Sequence, residues 1–175
     1  MGTHYPKDTV FAFALQGSKG SANTTPGYYI PLIEGNIETT EIYLKDQVAD
    51  ARRESFRGAQ IAGYDVAWSV KFYLRPCNVR LAEHALLAYL LGAEAAVTGG
   101  PAAPFTHTFT PVAAGTSLKW LTLFLDRGVE ASPCEMWVDA KPNSVTIEAN
   151  QREQVVCTIE GFAISKGADQ SALSA

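Results

Sequence analysis

Residue types able to do chemistry are few in this chain, and they are dispersed. Histidines stand at His4, His84 and His107, in an N-terminal segment, a helix-forming stretch and a short strand-forming one. None has a cysteine or carboxylate at metal-ligand spacing, and no HExxH occurs. Cys77, Cys134 and Cys157 are odd in number and far apart, which fits neither a disulfide framework nor a zinc site and agrees with a reducing compartment. Cys77 precedes a predicted helix, whose amide dipoles could lower a thiol pKa. That single feature does not make a nucleophile, and a buried structural cysteine is the better account. GxSxG, the P-loop and GxGxxG are absent. Arg52, Arg53 and Arg57 could clamp a phosphate, but residues 44–62 carry four basic against three acidic groups. A solvated or salt-bridged loop explains that balance. The expectation is a non-enzymatic chain with no cofactor and no metal.

At 175 residues the chain has room for one domain with a sizeable core. Only 18% of residues are charged, below the usual quarter, which argues against disorder and for surface covered by something other than water. Net charge is −4, and from Asp126 onward eight acids face four bases. A sequence-reading nucleic-acid binder needs the opposite sign. The most apolar stretch, Val79 to Val97, is interrupted by Arg80, Glu83, His84 and Glu94 and falls short of a membrane span. No signal-peptide pattern opens the chain, so an intracellular product is expected.

The elements that must position these residues are mostly strands. Residues 1–35 read as an extended N-terminal arm, with a small-polar stretch around Gly17 to Gly27 between two apolar patches. Asn36 to Tyr43 reads as a strand. Gly63 to Leu74 alternates Tyr64, Val66, Trp68, Val70 and Phe72 against Asp65, Ala67, Ser69 and Lys71. The charged segment between them is either a solvated loop or a hairpin extension that grips a neighbour. A helix is expected from Val79 to Leu91, capped by Asn78 and stopped by Gly92, with Val79, Ala82, Leu86 and Leu90 in one row. A short strand ends at Pro111. Ser117 to Leu125 is apolar on both faces, so one face should need cover from outside the subunit. Cys134 to Asp139, a turn at Lys141-Pro142-Asn143, Asn143 to Asn150 and Gln154 to Lys166 complete the strands, and residues 167–175 form a C-terminal tail. About seven antiparallel strands and one flanking helix predict a mainly β sandwich or rolled barrel in a single domain.

Taken in order, several segments resemble the tail tube proteins of long-tailed bacteriophages, the siphophage major tail proteins. They are Leu15-Gln16-Gly17-Ser18-Lys19-Gly20, then Tyr28-Tyr29-Ile30-Pro31-Leu32-Ile33-Glu34-Gly35, the charged loop through Arg52, Arg53, Glu54 and Gly58, Gly63-Tyr64-Asp65-Val66, and Tyr73-Leu74-Arg75-Pro76. The helix ending Leu90-Leu91-Gly92, His107-Thr108-Phe109-Thr110-Pro111, Trp120-Leu121-Thr122-Leu123 and Ala140-Lys141-Pro142-Asn143-Ser144-Val145-Thr146-Ile147 follow. Pro142 departs from the family's usual wording there.

The resemblance implies a structural virion protein, made in the host cytoplasm and located in the phage tail. It would polymerise as stacked hexameric rings into a hollow tube for ejection of double-stranded DNA, each subunit giving about four strands to a continuous inner barrel. Implied partners are further copies of the chain, with tail tip, tape-measure and terminator proteins. DNA would pass without specific binding, and no membrane is involved. Within that frame the polar strand faces should line the lumen: Asp65, Ser69, Lys71, Thr146, Glu148, Thr158 and Glu160, although Val156 and Phe162 share the parity of the last two. Asp46, Asp50, Arg52, Arg53, Glu54 and Arg57 should mediate contacts between rings or subunits, and Leu121, Leu123 and Leu125 should form a subunit interface. The alternatives are a single-ring terminator or head–tail joining protein, a type VI secretion-like tube protein and, more distantly, a carbohydrate-binding sandwich using Trp137 and Asp139.

Overall fold

Alternation of apolar and polar residues carries through to the architecture. The structure is a computed structural model that describes residues 9–45, 59–75, 82–91, 93–94, 106–111, 113, 118–128, 134–170 and 173. Its strands are β1 (Val10–Leu15), β2 (Tyr28–Ile30), β3 (Glu34–Lys45), β4 (Ala59–Tyr73), β5 (Ala93–Glu94), β6 (Phe109–Thr110), β7 (Leu121–Asp126), β8 (Glu135–Glu148), β9 (Val156–Ala163) and β10 (Ser165–Lys166). The helix α1 (Ala82–Leu91) lies between β4 and β5 in the chain. The main sheet runs β2-β1-β7-β8-β9-β4-β3 with β10 also on β8, and every pairing is antiparallel. The protein is mainly β, a sheet folded on itself with one flanking helix.

Strand β8 makes the fold. Residues 135–140 pair with β7 and β10, whereas residues 141–148 pair with β9. At the junction Asp139 has a φ of 58°, the left-handed region that Asp tolerates better than most residues. A register irregularity follows between Pro142 and Ser144. Together they turn one strand from the first half-sheet (β2-β1-β7-β8) into the second (β8-β9-β4-β3). The expected turn at Lys141-Pro142-Asn143 is therefore a bend within one continuous strand. Proline is tolerated there because the residue sits at a bulge and needs no ladder donor.

One core fills the fold. Phe11, Phe13, Leu121, Leu123, Leu125 and Trp137 of the first half meet Ile37, Val66, Trp68, Val70, Phe72 and Ile159 of the second, with Ala85, Leu86 and Leu87 of α1. Trp137 Nε1 donates to Thr39 Oγ1 at 3.0 Å, joining the first half to β3 at the far edge of the second. A smaller cluster lies on the opposite face of β1, β7 and β8, formed by Ala12, Ala14, Phe124, Cys134, Met136 and Val138 with Leu173 against it.

Three expectations change here. Residues 10–15 are not part of an arm: β1 is paired on both sides and its Phe11 to Ala14 are buried. The doubly apolar strand is covered entirely by its own chain. All of β7 is buried, and Leu121, Leu123 and Leu125 belong to the main core rather than to a subunit interface, because the fold places sheet and helix on one side and the C-terminal segment on the other. The helix also differs, being buried from Glu83 to Ala88, with Leu91 exposed. Glu83, expected on the flank, is 1% exposed; its Oε1 accepts from Arg75 Nε at 2.8 Å, which offsets part of the desolvation, while its buried Oε2 has no hydrogen-bond partner among the described residues.

Candidate functional site

Period-two geometry and the ladder registers collect the expected polar residues onto one surface. On β4, Val66, Trp68, Val70 and Phe72 turn into the core, so Asp65, Ser69 and Lys71 turn out. Register then carries that side across the half-sheet. One row reads Glu34, Lys71, Thr158, Thr146, and the next reads Asn36, Ser69, Glu160, Ser144. Asp65 lies opposite Thr40, and Glu148 lies opposite Val156. All seven residues of the expected lumen set thus share the outward face of β8-β9-β4-β3, and none is buried. Among the apolar residues that share it are Tyr73, Val156 and Phe162.

The sequence reading missed the contribution of β3. Glu34, Asn36, Glu38 and Thr40 extend this face, and their alternation with Gly35, Ile37 and Thr39 was the available signal. Asn36 Nδ2 donates to Glu38 Oε1 at 2.9 Å, and Ser144 Oγ donates to Glu160 Oε2 at 3.0 Å. Among the described residues the face carries five carboxylates (Glu34, Glu38, Asp65, Glu148 and Glu160) against Lys71 and Lys141, the latter opposite Phe162. A face of this sign repels a polyanion.

A cleft of about 400 Å³ crosses the centre of the face, lined by Asn36, Glu38, Trp68, Ser69, Asn143 and Glu160, among others. Gly161 is also part of its lining. A Cβ there would overlap the Lys141 carbonyl oxygen and the Trp68 ring, so β9 can pass over Trp68 only as glycine. Trp68 Nε1 donates to the Phe162 carbonyl at 3.1 Å.

Among the described residues no strand pairs with either long edge of this half-sheet. Among the described residues β3 pairs only with β4, and residues 141–148 pair only with β9. The β3–β4 hairpin stem reaches beyond the core to Lys45 and Ala59, leaving Ile42, Tyr43 and Ile61 about half exposed. Tyr43 donates to Glu41, and that hydrogen bond with the carboxylate's charge raises the phenol pKa. Tyr73 and Ile147 are exposed at the other end of the strands. The hairpin residues Asp46, Asp50, Arg52, Arg53, Glu54 and Arg57 lie outside the described residues.

At the β8 bend a polar network ties residues 16–23 to the sheet. Gly20 N–H donates to Asp139 Oδ1 at 2.7 Å, and Asn23 N–H donates to Thr122 Oγ1 at 3.1 Å. In the amide orientation that satisfies both ends, Gln16 donates to Asp139 Oδ1 at 2.9 Å and accepts from the Asp139 N–H at 3.1 Å. The small-polar stretch is thus held on its own subunit. Beside it, the Lys141 and Lys19 ammonium groups stand 4.1 and 5.3 Å from the Trp120 ring centre.

Other chemistry-bearing groups are structural. His84 and His107 stack with ring centres 4.0 Å apart. Burial pushes the thiols of Cys134 and Cys157 up to about 11, so both are protonated and poorly nucleophilic near neutrality; Cys77 lies outside the described residues. No group of three or more His, Cys, Asp or Glu residues able to hold a metal occurs among the described residues. No described helix is long and apolar enough to cross a membrane. Trp137 is 1% exposed and Asp139 is 6% exposed and hydrogen-bonded internally, so neither presents itself to a sugar.

No protein-family model matches the sequence, and no curated protein matches it. Solved structures do. The tail tube of SPP1 aligns with 98% of this chain and 81% of its own, with a TM-score of 0.56 at 11% identity. A chain of the anti-feeding prophage baseplate aligns with 97% of this chain and 95% of its own, with a TM-score of 0.51 at 9% identity. With a bent β8 joining a closed half-sheet to a polar-faced one, and one helix on the flank, the chain has a phage tail-tube-like fold.

Proposed function

We propose that the chain is a structural subunit of a phage-type tail tube, in which hexameric rings stack around a lumen that passes double-stranded DNA. The observation that carries this reading is the half-sheet β8-β9-β4-β3, polar and acidic on its outward face and unpaired at both edges among the described residues. A free edge is a liability unless another strand covers it. Pairing β3 of one copy with residues 141–148 of the next, repeated round a closed ring, satisfies both edges of that half-sheet and turns the polar face to one side. Six copies would supply 24 strands. At a spacing of about 4.8 Å and a tilt of about 40° they close a barrel roughly 48 Å across the backbone, wide enough for a duplex inside the side chains. The acidic face would repel phosphate and keep DNA from lodging. Exposed Ile42, Tyr43 and Ile61 at one end of the strands, and Tyr73 and Ile147 at the other, suit axial stacking, with the charged segment 46–57 reaching the next ring. The tail tip, tape-measure and terminator proteins would be its partners in the particle.

A second reading is a component that stops at a single ring. Its support is the likeness to an anti-feeding prophage baseplate chain, which is nearly matched in length. Electron microscopy of the purified protein separates the two: long hollow tubes support the first reading, closed single rings the second. Monomers at high concentration would sink both. Deleting residues 46–57 should leave rings but shorten or abolish tubes, and tubes of unchanged length would remove that segment from the stacking contact.

A further inference from the structure

One backbone bond fixes which groups the two open edges present. Leu74 N–H donates to the Val155 carbonyl at 2.9 Å, in step with the β4–β9 ladder. Bonding direction alternates along an antiparallel strand, so the core-facing residues of β4 bond to β9 and the outward ones to β3. Carried through the registers, Ser144 and Thr146 bond to β9, while Asn36 and Glu38 bond to β4. The groups left pointing off the edges belong to Val145 and Ile147 on one side and to Gly35, Ile37 and Thr39 on the other. All five have core-side parity, so two such edges can pair antiparallel with every side chain kept on its own face.

We propose that one copy joins the next with Val145 opposite Thr39 and Ile147 opposite Ile37, which sets Glu148 against Asn36 and Thr146 against Glu38 on the lumen side of the joint. This rests on the ring reading above and supplies its lateral register. Handedness gives the direction of the slip between copies. An L residue seen with its side chain toward the viewer and its chain running upward directs its N–H and C=O to the right. Seen from the core side, with β4 upward, the order from left to right is β3, β4, β9, β8, and then β3 of the next copy. With the polar face in the lumen, the core side is the outside of the ring. Strands coil right-handedly round a barrel, so the ladder descends to the right. In its own copy Thr146 shares a row with Glu34, and on the next copy it meets a residue of higher number.

Tilt and charge then set the size of the slip, which parity makes even. At about 3.3 Å per residue and about 4.8 Å per strand, slips of two, four and six residues per four-stranded copy tilt the strands by about 19°, 35° and 46°. Barrels tilt by about 35 to 45°, which favours four or six. Six would oppose Glu148 to Glu38 and Val145 to Glu41, and two would oppose Glu148 to Glu34; opposed like charges are unfavourable. Four gives each carboxylate a neutral donor. Asn36 Nδ2, which donates to Glu38 within its own copy at 2.9 Å, has a second N–H for Glu148, and the Thr146 hydroxyl serves Glu38. Ile147, about half exposed at its edge, comes beside Ile37 rather than Gly35 or Thr39.

Cysteine cross-linking of the full chain reads this register. Asn36→Cys with Glu148→Cys should give a covalent ladder on a non-reducing gel, as should Glu38→Cys with Thr146→Cys. Such residues form the close non-hydrogen-bonded pairs, with Cα atoms about 4.5 Å apart. Within one copy each pair spans three strand spacings, at least about 14 Å, too far for an internal bond. Glu148→Cys with Glu34→Cys, or with Glu38→Cys, should link at least about tenfold less, and the unsubstituted chain gives the background from its native cysteines. Rings in electron micrographs whose ladder comes from either of those last pairs, or from none, overturn the register and leave the ring reading standing. An unsubstituted protein that sediments only as a monomer overturns both. As a second readout, Asn36→Glu should raise the concentration for half-assembly several-fold, and Glu148→Lys on the same chain should restore it. Failure of that rescue in a folded chain also overturns the register.

Discussion

The two halves of β8 obey opposite rules although they are one strand. Residues 135–140 have strand neighbours on both sides, β7 and β10, and all but Glu135 are buried. Among the described residues, 141–148 have a strand neighbour on one side only, and from Asn143 onward none is buried. The first half is a closed piece of core; the second is a platform left incomplete within one chain. The bend at Asp139 separates them. Assembly chemistry is thus confined to one half-sheet while the other supplies stability, so substitutions should divide by half rather than by residue type.

The sharpest way to break that division is to place a charge in the closed half. Leu123→Glu buries a carboxylate with no partner in the main core and should cost about 4 kcal/mol or more, enough to prevent folding of a marginally stable domain. Chemical denaturation measures it, and a soluble folded monomer would return Leu123 to a subunit contact. Gly161→Val tests a point of close backbone approach in the open half. Overlap with the Lys141 carbonyl and Trp68 has no cheap relief, because one of the two is backbone, so a loss of about 3 kcal/mol is expected. A neutral result would mean that β9 does not lie over Trp68.

Alkaline pH reaches both halves more gently. Cys134, in the closed half, and Cys157, under the open one, have thiols raised from 9.0 to about 11, Cys134 by burial and then Asp126 and Glu135, Cys157 by burial alone. An acid with a raised folded pKa holds its proton more tightly in the native state. Its stabilisation is complete below pH 9 and is lost as pH rises toward 11. The melting temperature should fall across that window, and Cys134→Ala with Cys157→Ala should flatten the fall; an unchanged slope would assign it to other groups. The smallest effect on folding belongs to the outward face. Glu148→Lys with Glu160→Lys should change stability by no more than about 0.5 kcal/mol. If the face lines a DNA passage, the same pair should slow transit, and added salt should relieve the block by screening. Normal ejection by tubes of the double variant would remove these carboxylates from the lumen.

Local periodicity was enough to place much of this protein. The alternation from Tyr64 to Phe72 decided which side of β4 faces inward, and with it the positions of Asp65, Ser69 and Lys71. The pattern at Val145 and Ile147 did the same for Thr146 and Glu148. Side-chain direction along a strand depends only on parity, so it is written in the sequence. What covers a face is not. Leu121, Leu123 and Leu125 read as a surface awaiting a neighbour, yet the chain's own sheet, helix and C-terminal segment bury both sides of β7. Lys141-Pro142-Asn143 read as a turn because proline and asparagine share that habit, yet β9 pairs with the segment and holds it extended. Parity could name the seven residues, but not which of them stand side by side or where the half-sheet ends, because register between strands far apart in sequence is set by long-range packing. Parity belongs to the residue and its two neighbours; cover, register and edges belong to the whole chain.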